Sequence, residues 1–254
     1  MKISVITTCY NRKNSIASAI ESVLSQDYPN VEYVIVDGAS SDGSVDIIRS
    51  YQDKFTRIVS ESDTGIYNAL NKGIRLCTGE VIGLLHSDDM FYSTDTLSEI
   101  AAVFERTGAD IVYADGQYVD EQDTNTVKRI YPGGKYRKWK LYFGWIPLHT
   151  TIFVKKEVFD RWGLYREDFR IASDYEISLR WFTNDSLKKA YINKWMVKMR
   201  LGGKSTDMQQ QKRKSAEDLQ IIREYRLWGY VTLFFKIARK IPQYVLPKLK
   251  QYPV

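Results

Sequence analysis

Between residues 3 and 114 the chain alternates short β-branched runs with amphipathic stretches, and this rhythm constrains its fold more than any other feature. Ile3–Thr8 (ISVITT) is a continuous apolar run between polar residues, as a strand buried on both faces requires. Ser15–Ser25 then carries Ile16, Ala19, Ile20, Val23 and Leu24 at helical spacing. The pattern repeats: strand Glu32–Val36, helix Ser44–Tyr51, strand Arg57–Ser60, helix Tyr67–Leu76, strand Val81–Leu85, helix Thr96–Arg106, strand Asp110–Ala114. Such alternation predicts an α/β fold with a mostly parallel, Rossmann-like sheet and helices on both faces.

Sheets of this kind bind ligands beyond the carboxyl ends of their strands. Polar residues collect there: Thr8-Cys9-Tyr10-Asn11-Arg12, Asp37, Asp63 and Asp88-Asp89. Adjacent carboxylates repel each other unless a positive group sits beside them, and a hard cation such as Mg²⁺ or Mn²⁺, bridging carboxylate and substrate phosphate, meets that need. The same dipeptide also caps helices and forms turns. Asp37 and Asp63 stand where a carboxylate accepts hydrogen bonds from a ribose or base, or closes a turn; Asp42-Gly43 reads as such a turn. There is no G-x-x-x-x-G-K-[ST] and no G-x-G-x-x-G after the first strand, so phosphates must be held by a metal and by side chains. Arg12 and Lys204, in the loop Gly202–Lys204, are candidates. Asp174 opens a helix and reads either as a general base or as an acidic residue favoured by the helix dipole. With two histidines and two cysteines, any metal falls to carboxylates, and Cys9 and Cys77 read as structural.

Beyond 115 the rhythm breaks. Tyr118–Asp120 and Val127–Ile130 pair as a hairpin, Thr151–Val154 reads as a strand and Asp174–Phe182 as a helix. Gly202–Ser205 reads as a flexible loop, and Gln209–Lys214 (QQQKRK) as a mobile polar stretch. No repeat or clear linker divides the chain. The expected organisation is one domain over 1–205, with halves 1–114 and 115–205, and a C-terminal appendage over 206–254.

Charge supports the last division. Residues 1–185 carry 21 Lys+Arg and 27 Asp+Glu, whereas 186–254 carry 16 and 4. A basic tail suits an anionic membrane surface or nucleic acid, or simply keeps the surface solvated. Val231, Phe234, Phe235, Ala238 and Ile241 fall on one helical side, Lys236, Arg239 and Lys240 elsewhere, with Trp228, Tyr230, Tyr244 and Tyr252 as interface aromatics. The pattern fits a helix lying in a membrane interface, or one packed on the body or on a second copy in a homodimer. Met1–Thr8 lacks the features of a signal peptide, so a reducing, cytoplasmic location is expected, peripheral on the inner face of the plasma membrane.

Several segments together resemble glycosyltransferase family 2, of GT-A fold: ISVITTCYNR at 3–12, YVIVDGASSDGS at 33–44, SESDTGIYNALNKGI at 60–74, GEVIGLLHSDD at 79–89, HTTIFVKKEVF at 149–159, ASDYEISLR at 172–180 and LGGKS at 201–205. The resemblance spans roughly residues 1–205. It implies transfer of a sugar, with inversion, from a nucleotide-diphosphate donor, UDP-linked above all, to a hydroxyl. It further implies that Thr7, Tyr10, Arg12, Asp37 and Asp63 line the nucleotide pocket, that Asp88 lies near the ribose or diphosphate, that Asp89 ligates Mn²⁺ or Mg²⁺ and that Asp174 is the base. His86 stands where many members carry a further Asp, so the metal rests mainly on Asp89 and the donor phosphates. Ser173 stands where many carry an acidic residue. Trp145 and His149 are candidates for shaping the acceptor pocket, His149 equally for a packed structural role. With the basic tail, the resemblance suggests a lipid-linked saccharide acceptor in bacterial surface-polysaccharide synthesis. A sugar-nucleotide nucleotidyltransferase and a basic-tailed nucleic-acid-binding protein are the rivals. The first lacks its Gly- and Arg-rich loop, the second any known binding motif, and the acidic body speaks against nucleic acid.

Overall fold

The computed structural model describes residues 1–201, 208–250 and 252–253. Its first half follows the predicted alternation: β1 (Ile3–Cys9), α1 (Ile16–Leu24), β2 (Val31–Asp37), α2 (Ser44–Ser50), β3 (Arg57–Ser60), α3 (Ile66–Leu76), β4 (Val81–Leu84), β5 (Asp89–Phe91) and α4 (Thr96–Thr107). Then come β6 (Ile111–Val119), β7 (Val127–Tyr131), α5 (Trp139–Tyr142), β8 (Phe153–Lys155), α6 (Lys156–Trp162), α7 (Ser173–Thr183), β9 (Lys189–Arg200), α8 (Met208–Glu224), α9 (Tyr230–Ala238) and α10 (Lys240–Leu249). The strands form one sheet in the order β3-β2-β1-β4-β8-β6-β9-β5, with β7 paired to β6. β3, β2, β1 and β4 are parallel; β8 runs antiparallel between β4 and β6, and β9 is parallel to β6.

Alternation along each strand divides the core. Val5 of β1 and Tyr33 and Ile35 of β2 face the layer containing Ile16 and Ile20 of α1. Ile6, Val34 and Val36 face the opposite layer, with Leu70 and Ile74 of α3. α3 sits so close to β1 that a Cβ on Gly73 would fall 2.6 Å from Ile6 Cγ2, so glycine is required there.

Four features differ from the sequence reading. The predicted strand Asp110–Ala114 and the first arm of the hairpin are one continuous strand, β6. β9, twelve residues long, and β5, three long, were not foreseen. Gln209–Lys214 lies within α8 and is not a mobile stretch. This polar helix is held by tertiary contacts: Ile221 and Ile222 are fully buried, and Glu217 accepts the backbone N–H groups of Arg170, Ile171 and Ala172 at 3.2, 2.9 and 3.0 Å.

The tail also differs in orientation. α9 docks through Thr232, whose hydroxyl donates to the Tyr142 carbonyl (2.8 Å), and through Phe235 against the Phe143 ring. This turns Lys236 inward, over the Tyr175 ring, and leaves Phe234, Ile237 and Ile241 outside. Lys236 therefore does not serve an outer basic face; it is enclosed by the protein. Among the described residues no helix is long and apolar enough to cross a membrane.

Candidate active site

The loops after β1 and β2 are knitted together. Asn11, at φ +52°, donates its N–H to the Ser40 hydroxyl oxygen (2.8 Å), and its side-chain oxygen accepts the Ser41 N–H (3.0 Å). The Arg12 N–H donates to the Ser44 hydroxyl at 2.8 Å. Asp37, fully buried at the end of β2, accepts from Ser40 N–H and from the hydroxyls of Ser40 and Ser60. Asp63 accepts the Gly65 N–H at 2.9 Å, and its Oδ2 lies so near Gly38 that a Cβ there would come within 2.4 Å. Tyr10 borders the same glycine and is half exposed. Thr7 does not reach this surface: it is buried, with its hydroxyl 3.0 Å from the Tyr33 hydroxyl. Asp42 accepts the Ser44 N–H at the start of α2, as its turn reading required.

The chain leaves β4 through a tight turn closed by Asp89 N–H donating to the His86 carbonyl (3.0 Å). The turn splits the two carboxylates. Asp88 is partly exposed, with Oδ2 3.7 Å from Arg12 Nη2. Asp89 is buried at the start of β5, and its Oδ2 has no hydrogen-bond partner. Burial, then the Asp88 charge, pushes the Asp89 carboxyl well above its ordinary range. A buried, unpartnered carboxylate oxygen is what a hard cation satisfies. Among the described residues no three Asp, Glu, His or Cys side chains gather as a metal cage, so a cation on Asp89 would draw its remaining ligands from a bound diphosphate.

From the second half, α7 brings Asp174 and the 3₁₀ turn His149–Thr151 brings His149, with Nδ1 3.6 Å from Asp174 Oδ2. The other face of His149 meets His86, Nε2 to Nε2 at 2.8 Å. The Tyr67 hydroxyl donates to the Ile171 carbonyl (2.7 Å) and sits 3.2 Å from Asp174 Oδ1. Burial lowers both imidazoles, His149 to about 4, so both are neutral at pH 7. Burial pulls the Asp174 carboxyl upward, but the positive charge of His149 when protonated, and of Lys214 and Lys236, outweighs it and holds the group below its ordinary value.

Trp145 lies in the core, its indole N–H donating to the Gly133 carbonyl (2.6 Å), and presents no surface to an acceptor. Cys9 and Cys77 are buried, and burial raises their thiols to about 11 and about 12. Lys204 and the Gly202–Ser205 loop lie outside the described residues. Asp174 and His149 border a cavity of about 150 Å³, walled opposite by α8, α9 and α10. A larger cavity, about 480 Å³, lies along β9, and Lys194 and Glu99 at its wall are paired with each other.

The family model for Glycosyl transferase family 2 matches residues 4–163. The chain belongs to that family. It is similar to a PGL/p-HBAD biosynthesis glycosyltransferase of Mycobacterium bovis (strain BCG / Pasteur 1173P2), 30% identical over 194 residues, covering 75% of this chain and 73% of that protein. The glycosyltransferase RP339 of Rickettsia prowazekii, itself uncharacterized, is 28% identical over 73% of this chain and 60% of its own. In fold the family 2 chain is similar to S. aureus TarS 1-349 in complex with UDP-GlcNAc, with a TM-score of 0.70, 18% identity, and 99% and 76% of the two chains covered. It spans 64% of TarS 1-349 and 39% of TarS in two further structures. The mannosyltransferase PcManGT from Pyrobaculum calidifontis, in complex with GDP-Man and Mn²⁺, gives a TM-score of 0.66 at 18% identity over 93% of this chain and 73% of its own. These likenesses establish the GT-A fold.

Proposed function

We propose that this family 2 glycosyltransferase inverts the anomeric carbon as it moves a sugar from a nucleotide-diphosphate donor, UDP-linked by preference, to a hydroxyl of a lipid-linked glycan. The observation that carries the reading is the line His86–His149–Asp174, which ties the turn bearing Asp88 and Asp89 to a carboxylate from the other half of the chain. Donor and base then face each other across one site, as in-line displacement requires. The nucleotide would lie over the β1 and β2 loops, with Asp37 and Asp63 toward base and ribose, Tyr10 beside them, and Arg12 and Asp88 toward the diphosphate. Mn²⁺ or Mg²⁺, held by Asp89 and the phosphates, would stabilise the charge on the departing diphosphate.

The chain's own part is proton and position. Asp174, held ionised, takes the proton of the attacking hydroxyl as the C1–oxygen bond to the diphosphate breaks and the new glycosidic bond forms. His149 and Tyr67 fix the carboxylate's orientation. The sugar-binding likenesses of TarS and PcManGT support the donor class, and the acidic body supports no nucleic-acid role.

The test is a thermal-shift panel of UDP-, GDP-, dTDP- and CDP-sugars with Mn²⁺, Mg²⁺ or EDTA, on wild type, Asp89→Ala and Asp174→Asn. A ligand at 100 times its Kd adds about 2.7 kcal/mol. A metal-dependent shift with one nucleotide, lost in Asp89→Ala but kept in Asp174→Asn while transfer falls by about 10²–10⁴, supports the reading. Full transfer by Asp174→Asn overturns the assignment of the base.

A further inference from the structure

The cavity beside Asp174 is walled by more cations than carboxylates. Lys214 of α8, Lys236 of α9, Arg239 and Lys240 face it from the tail, and Arg129 of β7 closes it. Against these five stand two carboxylates, Asp174 and Asp218, and Asp218 is already paired with Lys236 at 2.5 Å. Among the described residues none of Arg129, Lys214, Arg239 and Lys240 has a carboxylate partner. Arg129 is 8% exposed. It spends Nε and Nη2 on the Gln243 side-chain oxygen and lies between the rings of Tyr118, Tyr131 and Tyr244, a setting that fixes the guanidinium without neutralising it.

Gathering these cations is costly unless an anion joins them, above all at buried Arg129 and at largely covered Lys236; Lys240 stands exposed at the rim. Burial lowers Lys236 to about 8 and lowers Arg239 and Lys240 as well. The Tyr175 side chain, 4% exposed, also lines the cavity, and its hydroxyl has no partner. A net-positive pocket with a spare buried hydroxyl matches a phosphate, which offers several acceptor oxygens.

We propose that this cavity seats a phosphate or diphosphate group of the acceptor, placing the sugar attached to it against Asp174. The inference rests on the glycosyltransferase reading of that residue and adds a subsite to it. The outer face of the same helices favours a lipid as the carrier: Phe234 and Ile241 are each 65% exposed, and Ile237 and Leu249 stand out beside them. An interfacial helix with its apolar side in lipid would bring its basic side to headgroup phosphate.

The experiment compares three vesicle types in a flotation assay: neutral phosphatidylcholine carrying a polyprenyl diphosphate, the same carrying the polyprenyl alcohol, and phosphatidylglycerol. Wild type is set against Arg239→Gln/Lys240→Gln and, separately, Lys214→Gln, each checked for an unchanged melting transition. The expected result is binding to diphosphate vesicles at least about tenfold tighter than to either other type, reduced about tenfold or more in each variant. Inorganic pyrophosphate is titrated in the same assay. Competition that leaves a large residual lipid preference identifies a lipid-borne phosphate; pyrophosphate binding as tightly as the lipid overturns the lipid carrier. Equal binding to phosphatidylglycerol, or unchanged binding in both variants that fold, overturns the subsite. The nucleotide-sugar shift is read on the same proteins. A shift kept in wild type and variants while diphosphate vesicles fail to bind removes only this inference; no shift with any donor removes the reading beneath it; a shift lost in the tail variants assigns the cations to the donor and overturns the proposal.

Discussion

The Nε2 atoms of His86 and His149 lie 2.8 Å apart, a separation at which one ring must donate and the other accept. The arrangement that also serves Asp174 has His86 Nε2–H donating to His149 Nε2, leaving the Nδ1–H of His149 toward the carboxylate. His149 is thus a positioning residue for the proposed base. His149→Phe is expected to lower kcat up to about a hundredfold with the donor KM unchanged, because misplaced reacting groups carry costs of that size. A parallel rise in donor KM would instead place His149 in the nucleotide site.

With Asp174 as the proposed base, the charges around it are expected to set the acid limb of the reaction. Its carboxyl titrates below the ordinary value and His149 titrates near 4, so the pH–rate profile is expected to stay flat from neutral pH down to about pH 5 and to fall below that. Lys214→Gln removes a positive charge, so the Asp174 carboxyl rises and the acid limb moves to higher pH. An unmoved limb in Lys214→Gln would separate the lysine from the base.

Glu32 contributes stability rather than chemistry. Burial would raise its carboxyl, but hydrogen bonds from Ser4, from Thr78 and from Lys2 outweigh it and hold the group at about 2. A depressed carboxyl stabilises the fold fully above its unfolded value and loses that contribution as pH falls toward the folded one. The shift corresponds to roughly 3 kcal/mol. Urea unfolding of wild type should weaken between pH 5 and 2 by about that much more than Glu32→Gln; equal slopes would refute the assignment.

Gly144 is where α9 meets the body. It has φ +66°, and a Cβ there would lie 2.5 Å from Lys236 Cα and N. Backbone cannot retreat without moving the helix, so Gly144→Ala is expected to cost about 1–3 kcal/mol and to loosen α9. Limited trypsin digestion read by mass spectrometry should show faster cleavage after Arg226, Lys236 and Arg239; unchanged rates would show that α9 is held elsewhere.

The parallel half was legible because β1, β2 and β4 are dense, buried, largely apolar runs that announce themselves locally, with the short β3 following the same alternation. β9 was not, because Lys189, Lys194 and Lys198 interrupt it and its pairing with β6 and β5 is long-range. α8 reads as polar because only a narrow face, around Ile221 and Ile222, is buried. The carboxylates at the strand ends could be located from spacing alone. The contact of His86 with His149 spans 63 residues and leaves no local signature. Helical periodicity separated the cations from the apolar residues of the tail, but it could not tell which side meets the body; the docking of Thr232 and Lys236 decides that.

The acceptance by Glu217 of three successive amides ahead of α7 carries a consequence for how much chain the loop before Asp174 needs. Every segment that marks the chain as a family 2 member lies before residue 206, yet the loop that aims Asp174 is satisfied by a side chain beyond it. A fragment cut at 205 would keep all the recognisable signatures and release three donors beside the proposed base. The stretch that carries the signatures is therefore shorter than the stretch that keeps the loop ahead of Asp174 satisfied.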